Sequence, residues 1–108
     1  MPPADHAIPE RVRLVIALTE VNSRHLGSES RRAGIEVVLA RVEADWAAGA
    51  AGPDAPCQIA MLRADMAEAE AALAAIEAER ERLYAALEAA EAKGDAHRHQ
   101  QDRHGGPE

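Results

Sequence analysis

The sequence predicts an all-α protein, an antiparallel helical hairpin with a coiled-coil seam, built from two to three helices and prone to oligomerise. Three observations predict it. From Ile59 to Ala92 the apolar residues fall into one heptad register, with Ile59, Met66, Leu73, Arg80 and Leu87 at a and Leu62, Ala69, Ile76, Leu83 and Ala90 at d. The 108 residues hold one tryptophan, one tyrosine and no phenylalanine, a poor supply for a small sandwich or barrel and an adequate one for packed helices. A single strong break, Gly49-Ala50-Ala51-Gly52-Pro53, separates two helix-forming stretches.

Each element follows in order. Residues 1–8 form a short, proline-marked lead. Pro9 fits the first turn of a helix, where its missing N–H costs nothing. That helix, expected over about residues 9–26, carries Leu14, Leu18 and Val21 at helical spacing and ends at Gly27. Ser28 and Ser30 are candidate N-caps for a second helix over about residues 30–50, with the stripe Ile35, Val38, Leu39, Val42 and Trp46. Asp54 is the candidate N-cap of a third over about residues 55–93, Pro56 sits in its first turn and Gly94 is its expected stop. At ~1.5 Å per residue these helices measure about 26, 31 and 58 Å. The first two laid end to end match the third, which favours a hairpin over residues 9–93. The competing layout is a compact three-helix bundle. Residues 94–108, GDAHRHQQDRHGGPE, lack aliphatic periodicity and read as a disordered polar tail.

The f positions of the long helix sit opposite its seam and are Ala64, Ala71, Ala78, Ala85 and Ala92. Alanine is the best helix former, yet an uncharged strip opposite an apolar seam also suits a helix with neighbours on two sides. Ala64, Ala71, Ala78 and Ala85 are therefore the candidate subunit contact. Arg80 interrupts the seam, and such a charge commonly fixes register or oligomer state. It either meets Glu36, Glu43 or Asp45 across the hairpin or an interface, or lays its stem on the seam with the guanidinium in water. Trp46, among small residues near the turn, is a core plug or an oligomer anchor.

The formal net charge of −7 does not favour nucleic acid. It is uneven, however: residues 11–32 hold Arg11, Arg13, Arg24, Arg31 and Arg32 against Glu20 and Glu29. These five arginines are the candidate phosphate contacts. No aromatic stacking platform accompanies them, so any DNA contact should be weak, salt-sensitive and indifferent to sequence. One cysteine, Cys57, rules out an intrachain disulfide and a multi-cysteine zinc site, and it reads as an inert or partly buried thiol. His97, His99 and His104 could chelate a metal weakly, but nothing preorganises them, so no metal and no cofactor is expected. No glycine-rich phosphate loop and no paired carboxylates in a cleft point to an enzyme. With no basic-then-apolar signal pattern and no run near ~18 apolar residues, a cytoplasmic protein without a membrane span is the expectation.

The hairpin Ile35–Trp46 / Ile59–Leu87, the turn GAAGPDAPC at 49–57 and the polar tail from Gly94 together resemble the oligomerisation core of phage small terminase subunits, and more narrowly the small terminase of gene transfer agents. The resemblance implies a homo-oligomeric ring that recruits a large terminase motor and presents DNA for packaging. On that plan the tail residues His97, Arg98, His99 and Arg103 would contact the motor. The family usually has an N-terminal helix-turn-helix, for which this sequence has no room before its first helix. That implies DNA binding without sequence preference. The rival class is a coiled-coil scaffold or regulator that binds a helical protein and no nucleic acid.

Overall fold

The computed structural model describes residues 8–104, with side chains through residue 96. The lead through residue 7 and the last four residues lie outside the described chain. Two helices account for nearly all of it: α1 (Glu10–Ala47) and α2 (Ala55–His104), with no strand among the described residues. An all-helical hairpin architecture is therefore what the heptad pattern forms.

The two helices fall within the expected two to three, but the boundary expected near Gly27 is absent. α1 runs without interruption through Gly27, Ser28 and Ser30, where a break was expected. The reason lies in spacing. Leu14, Leu18, Val21, His25, Ser28, Arg32, Ile35, Leu39 and Val42 alternate steps of four and three, and every one of them is buried or half-buried. A heptad seam thus passes through the polar stretch, with Leu18, His25, Arg32 and Leu39 at a and Leu14, Val21, Ser28, Ile35 and Val42 at d. Gly27 costs a helix only about 1 kcal/mol, too little to end one that side-chain packing holds on both sides. α2 likewise passes through Gly94, expected as its stop, and continues to His104, so residues 95–104 are helical where a disordered tail was expected. Gly94 falls on the a position that continues the seam and is half-buried there.

The chain forms two compact units. In the first (residues 8–22 with 79–104 of the described chain), the start of α1 lies beside residues 90–95 of α2, tied by Arg11 Nε donating to Glu91 Oε2 at 3.3 Å. Leu18 and Val21 are its buried core, and Val21 is fully enclosed. Arg80, Leu83, Leu87 and Ala90 of α2 are half-buried. Pro9 precedes the helix instead of sitting inside it: its carbonyl accepts the Arg13 N–H at 3.1 Å, the first bond of α1.

In the second (residues 23–78), α1 and α2 pack antiparallel around the turn, with Ala55, Ile59 and Ala69 buried and Leu62, Met66, Leu73 and Ile76 half-buried. The turn closes as the sequence dictates. Gly49 takes φ 73°, a conformation only glycine adopts at little cost. Its N–H bonds to the Trp46 carbonyl at 3.1 Å, while Ala50 N–H bonds to Asp45 at 2.8 Å. This pair of bonds is the Schellman closure, which satisfies carbonyls the helix end would leave open. At the far side, the Gln58 N–H bonds to the Asp54 carbonyl at 3.0 Å, which puts Asp54 at the N-cap position of α2.

Candidate functional site

The cross-helix ion pairs repeat with the heptad. In the second unit His25 Nε2 lies 3.0 Å from Glu77 Oε2, and Arg32, one heptad later, has Nη1 4.0 Å from Glu70 Oε2, one heptad earlier. In the first unit Arg11, also at an a position, meets Glu91. Glu70, Glu77 and Glu91 all occupy e positions of α2. So a basic residue at a is answered by a glutamate at e on the other helix, which is how charged coiled-coil flanks set register and direction. His25 is further held by Glu29, whose Oε1 lies 3.6 Å from Nδ1. Whichever ring nitrogen carries a proton therefore has an acceptor. Toward the turn Arg63 donates from Nη2 and Nε to Glu43 Oε2 at 2.6 and 3.2 Å. These pairs are largely solvated except at His25 and Arg32, and exposed pairs contribute ~0.2–1 kcal/mol. They select an alignment more than they hold the fold.

This lattice bears on the arginines expected to meet phosphate. Arg11 faces Glu91, Arg31 faces Glu68 at 3.8 Å, and Arg32 faces Glu36 at 3.3 Å as well as Glu70. Arg24 is engaged too. Arg13 is exposed and takes part in no ion pair among the described residues. The first unit has a shallow groove of about 420 Å³ lined by Arg11, Ala90, Glu91, Gly94 and Asp95. Its arginine is the one already bound to Glu91.

Arg80 sits half-buried at its seam position, and no ion pair among the described residues joins it to Glu36, Glu43 or Asp45. Glu36 binds Arg32 and Glu43 binds Arg63. Trp46 does not plug the core: it is 47% exposed at the end of the α1 seam. Ala64, Ala71, Ala78, Ala85 and Ala92 are all exposed. So is Cys57, which stands at the preceding f position, and the expectation of a partly buried thiol is corrected. His97, Arg98, His99 and Arg103 lie on the helical backbone of α2, and their side chains are outside the described residues. Among the described residues no three His, Cys, Asp or Glu side chains cluster as metal ligands, and no helix is long and apolar enough to cross a membrane.

The feature that sequence reasoning missed is the pairing of His25 and Arg32 with glutamates. Its signal was present. Three basic residues at heptad multiples in α1, and glutamates at e in α2, form a complementary pattern once the helix is read as continuous. Compared with known proteins, the chain matches no family model, no curated protein and no solved structure.

Proposed function

We propose that this chain is a non-enzymatic, oligomeric adaptor built on a helical hairpin, of the kind that gathers a motor and its DNA in a packaging complex. One observation carries the adaptor reading. α2 spends its a and d positions on α1 and keeps Ala64, Ala71, Ala78, Ala85 and Ala92 exposed and uncharged on the opposite face. A strip of that width, free of charge and of long side chains, suits the close approach of another subunit. The packaging form of the reading comes from the resemblance to small terminases, with a large terminase motor as partner.

A second reading is a scaffold that binds a helical protein and no nucleic acid. The arginine placement favours it. Phosphate affinity depends on cations that neutralise phosphate, and Arg11, Arg31 and Arg32 already face carboxylates of their own chain.

Mass determination by light scattering, followed by electrophoretic mobility shift on unrelated DNA sequences, separates the readings. The packaging adaptor gives an oligomer that shifts every DNA at low salt and loses it as salt rises. An oligomer with no shift at low salt leaves the scaffold. A monomer at micromolar concentration removes the oligomeric adaptor and leaves the scaffold. Ala71→Glu with Ala78→Glu tests the strip: an unchanged subunit number reduces it to helix propensity.

A further inference from the structure

α1 carries a second seam on its outer face. Counting heptads from its buried positions, b and f in the second unit are Ser23, Leu26, Ser30, Ala33, Val37, Ala40, Ala44 and Ala47. None is charged and all are exposed. The same letters earlier in α1 fall on Val12, Ile16 and Thr19, also uncharged and exposed. Leu26 and Val37 are each 67% exposed, more than any other large apolar side chain of the described chain. They stand eleven residues apart, which brings them to one face of the helix.

The edges of this face differ in charge. One is the e edge, Glu29, Glu36 and Glu43; the other is the c edge, Gly27, Gly34 and Arg41. A Cβ built on either glycine meets nothing within 4 Å. Two glycines one heptad apart in a helix interior, with no close neighbour in their own chain, weaken the helix and leave its edge low.

We propose that this face of α1 binds the same face of a second copy of the chain, parallel and in register. Charge complementarity selects the occupant and its direction. In a parallel pair each edge meets the opposite edge of the partner helix, roughly five positions further on. Glu36, whose Oε2 also faces Arg32 of its own chain at 3.3 Å, then meets Arg41 of the second copy, twice by symmetry, and Glu29, beside His25 of its own chain, meets the open edge at Gly34. In an antiparallel pair the acidic edges coincide, and Glu29, Glu36 and Glu43 face one another. Against α2 of a second copy, run antiparallel, the acidic edge meets an edge on which Glu70, Glu77 and Glu91 outnumber Arg63. The parallel α1 pair is the arrangement of the three that sets no glutamate against another. The inference rests on the oligomeric part of the function proposed above, and places a contact on α1 in addition to the alanine strip of α2.

The test uses the full chain with Cys57→Ser. Leu26→Cys and Val37→Cys, made separately, should each give a disulfide-linked dimer under mild oxidant, about tenfold faster than the exposed off-face control Arg82→Cys. Two positions eleven residues apart can each bond to their own counterpart only in a parallel, in-register pair. In the native chain Arg41→Glu should raise the dimer dissociation constant about tenfold, and Glu36→Arg added to it should restore binding, with helicity by circular dichroism unchanged throughout. Cross-linking no faster than the control overturns the proposal. So does an assembly that survives Leu26→Glu with Val37→Glu, an outcome that leaves the oligomeric adaptor standing. A chain that stays monomeric to about 100 μM, whether or not a foreign helical protein binds the face, overturns this contact and the oligomeric reading together.

Discussion

In the unit formed by residues 8–22 and 79–104, α1 presents Leu14, Leu18 and Val21 to its seam, and Val21 is fully enclosed. In the unit of residues 23–78, the same count presents His25, Ser28 and Arg32 before it returns to Ile35, Leu39 and Val42. The first unit gains stability from burial, which is strong and indifferent to direction. The polar part of the second gains little from burial and depends on Glu77 and Glu70 standing at matching heights on α2. One heptad count can therefore be filled by affinity or by alignment, and this chain does each in a different place.

The contrast can be broken by substitution. The largest effect is expected at Leu18→Ala, which should lose about 3 kcal/mol in urea unfolding. His25→Ala should lose about 1 kcal/mol, the scale of a net hydrogen bond. Equal losses would mean that the polar seam holds the fold as strongly as the aliphatic one. Next comes the turn, which the second unit has and the first lacks. Gly49→Ala forces a side chain into the left-handed region and should cost about 1–2 kcal/mol. Gly27→Ala and Gly34→Ala should each raise stability, by about 0.5–1 kcal/mol in thermal melts at low concentration, because the added methyl meets open space. The smallest effect is the coupling of Arg63 with Glu43, about 0.5 kcal/mol by double-mutant cycle and less at high salt. Hydrogen exchange should follow the same division: raising salt should loosen residues 23–78 more than the other unit.

Much of this was legible. The seam of α2 is read directly from Ile59 to Ala90, because its apolar residues keep 3-4 spacing with Arg80 the one interruption, and each is buried or half-buried. The turn was legible from Gly49 and Asp54, whose backbone preferences match the positions they occupy. The middle of α1 was not. His25, Ser28 and Arg32 erase the apolar period although they keep the spacing, and Gly27 beside Ser28 imitates a helix stop. Only partners from α2 make those residues seam residues, and a single helix read alone does not contain its partner. Gly94 misled for a related reason: a preference of about 1 kcal/mol per residue is decided by what packs around it. The arginines were legible as cations. Their commitment to glutamates across the helix pair was not.

The heptad-spaced pairs also work as an index. The e positions of α2 read Arg63, Glu70, Glu77, Tyr84 and Glu91, a word that does not repeat. A slip of one heptad in one direction would set Arg32 against Arg63 and Arg11 against Tyr84. A slip in the other would set Leu39 against Glu70 and Leu18 against Glu91. Either error keeps one basic–glutamate match, His25 with Glu70 or Arg32 with Glu77, and loses the others to neutral, repulsive or desolvating contacts. An alanine-rich helix would otherwise slide with little resistance, since its knobs are small and alike. This one carries a combination that opens at a single setting.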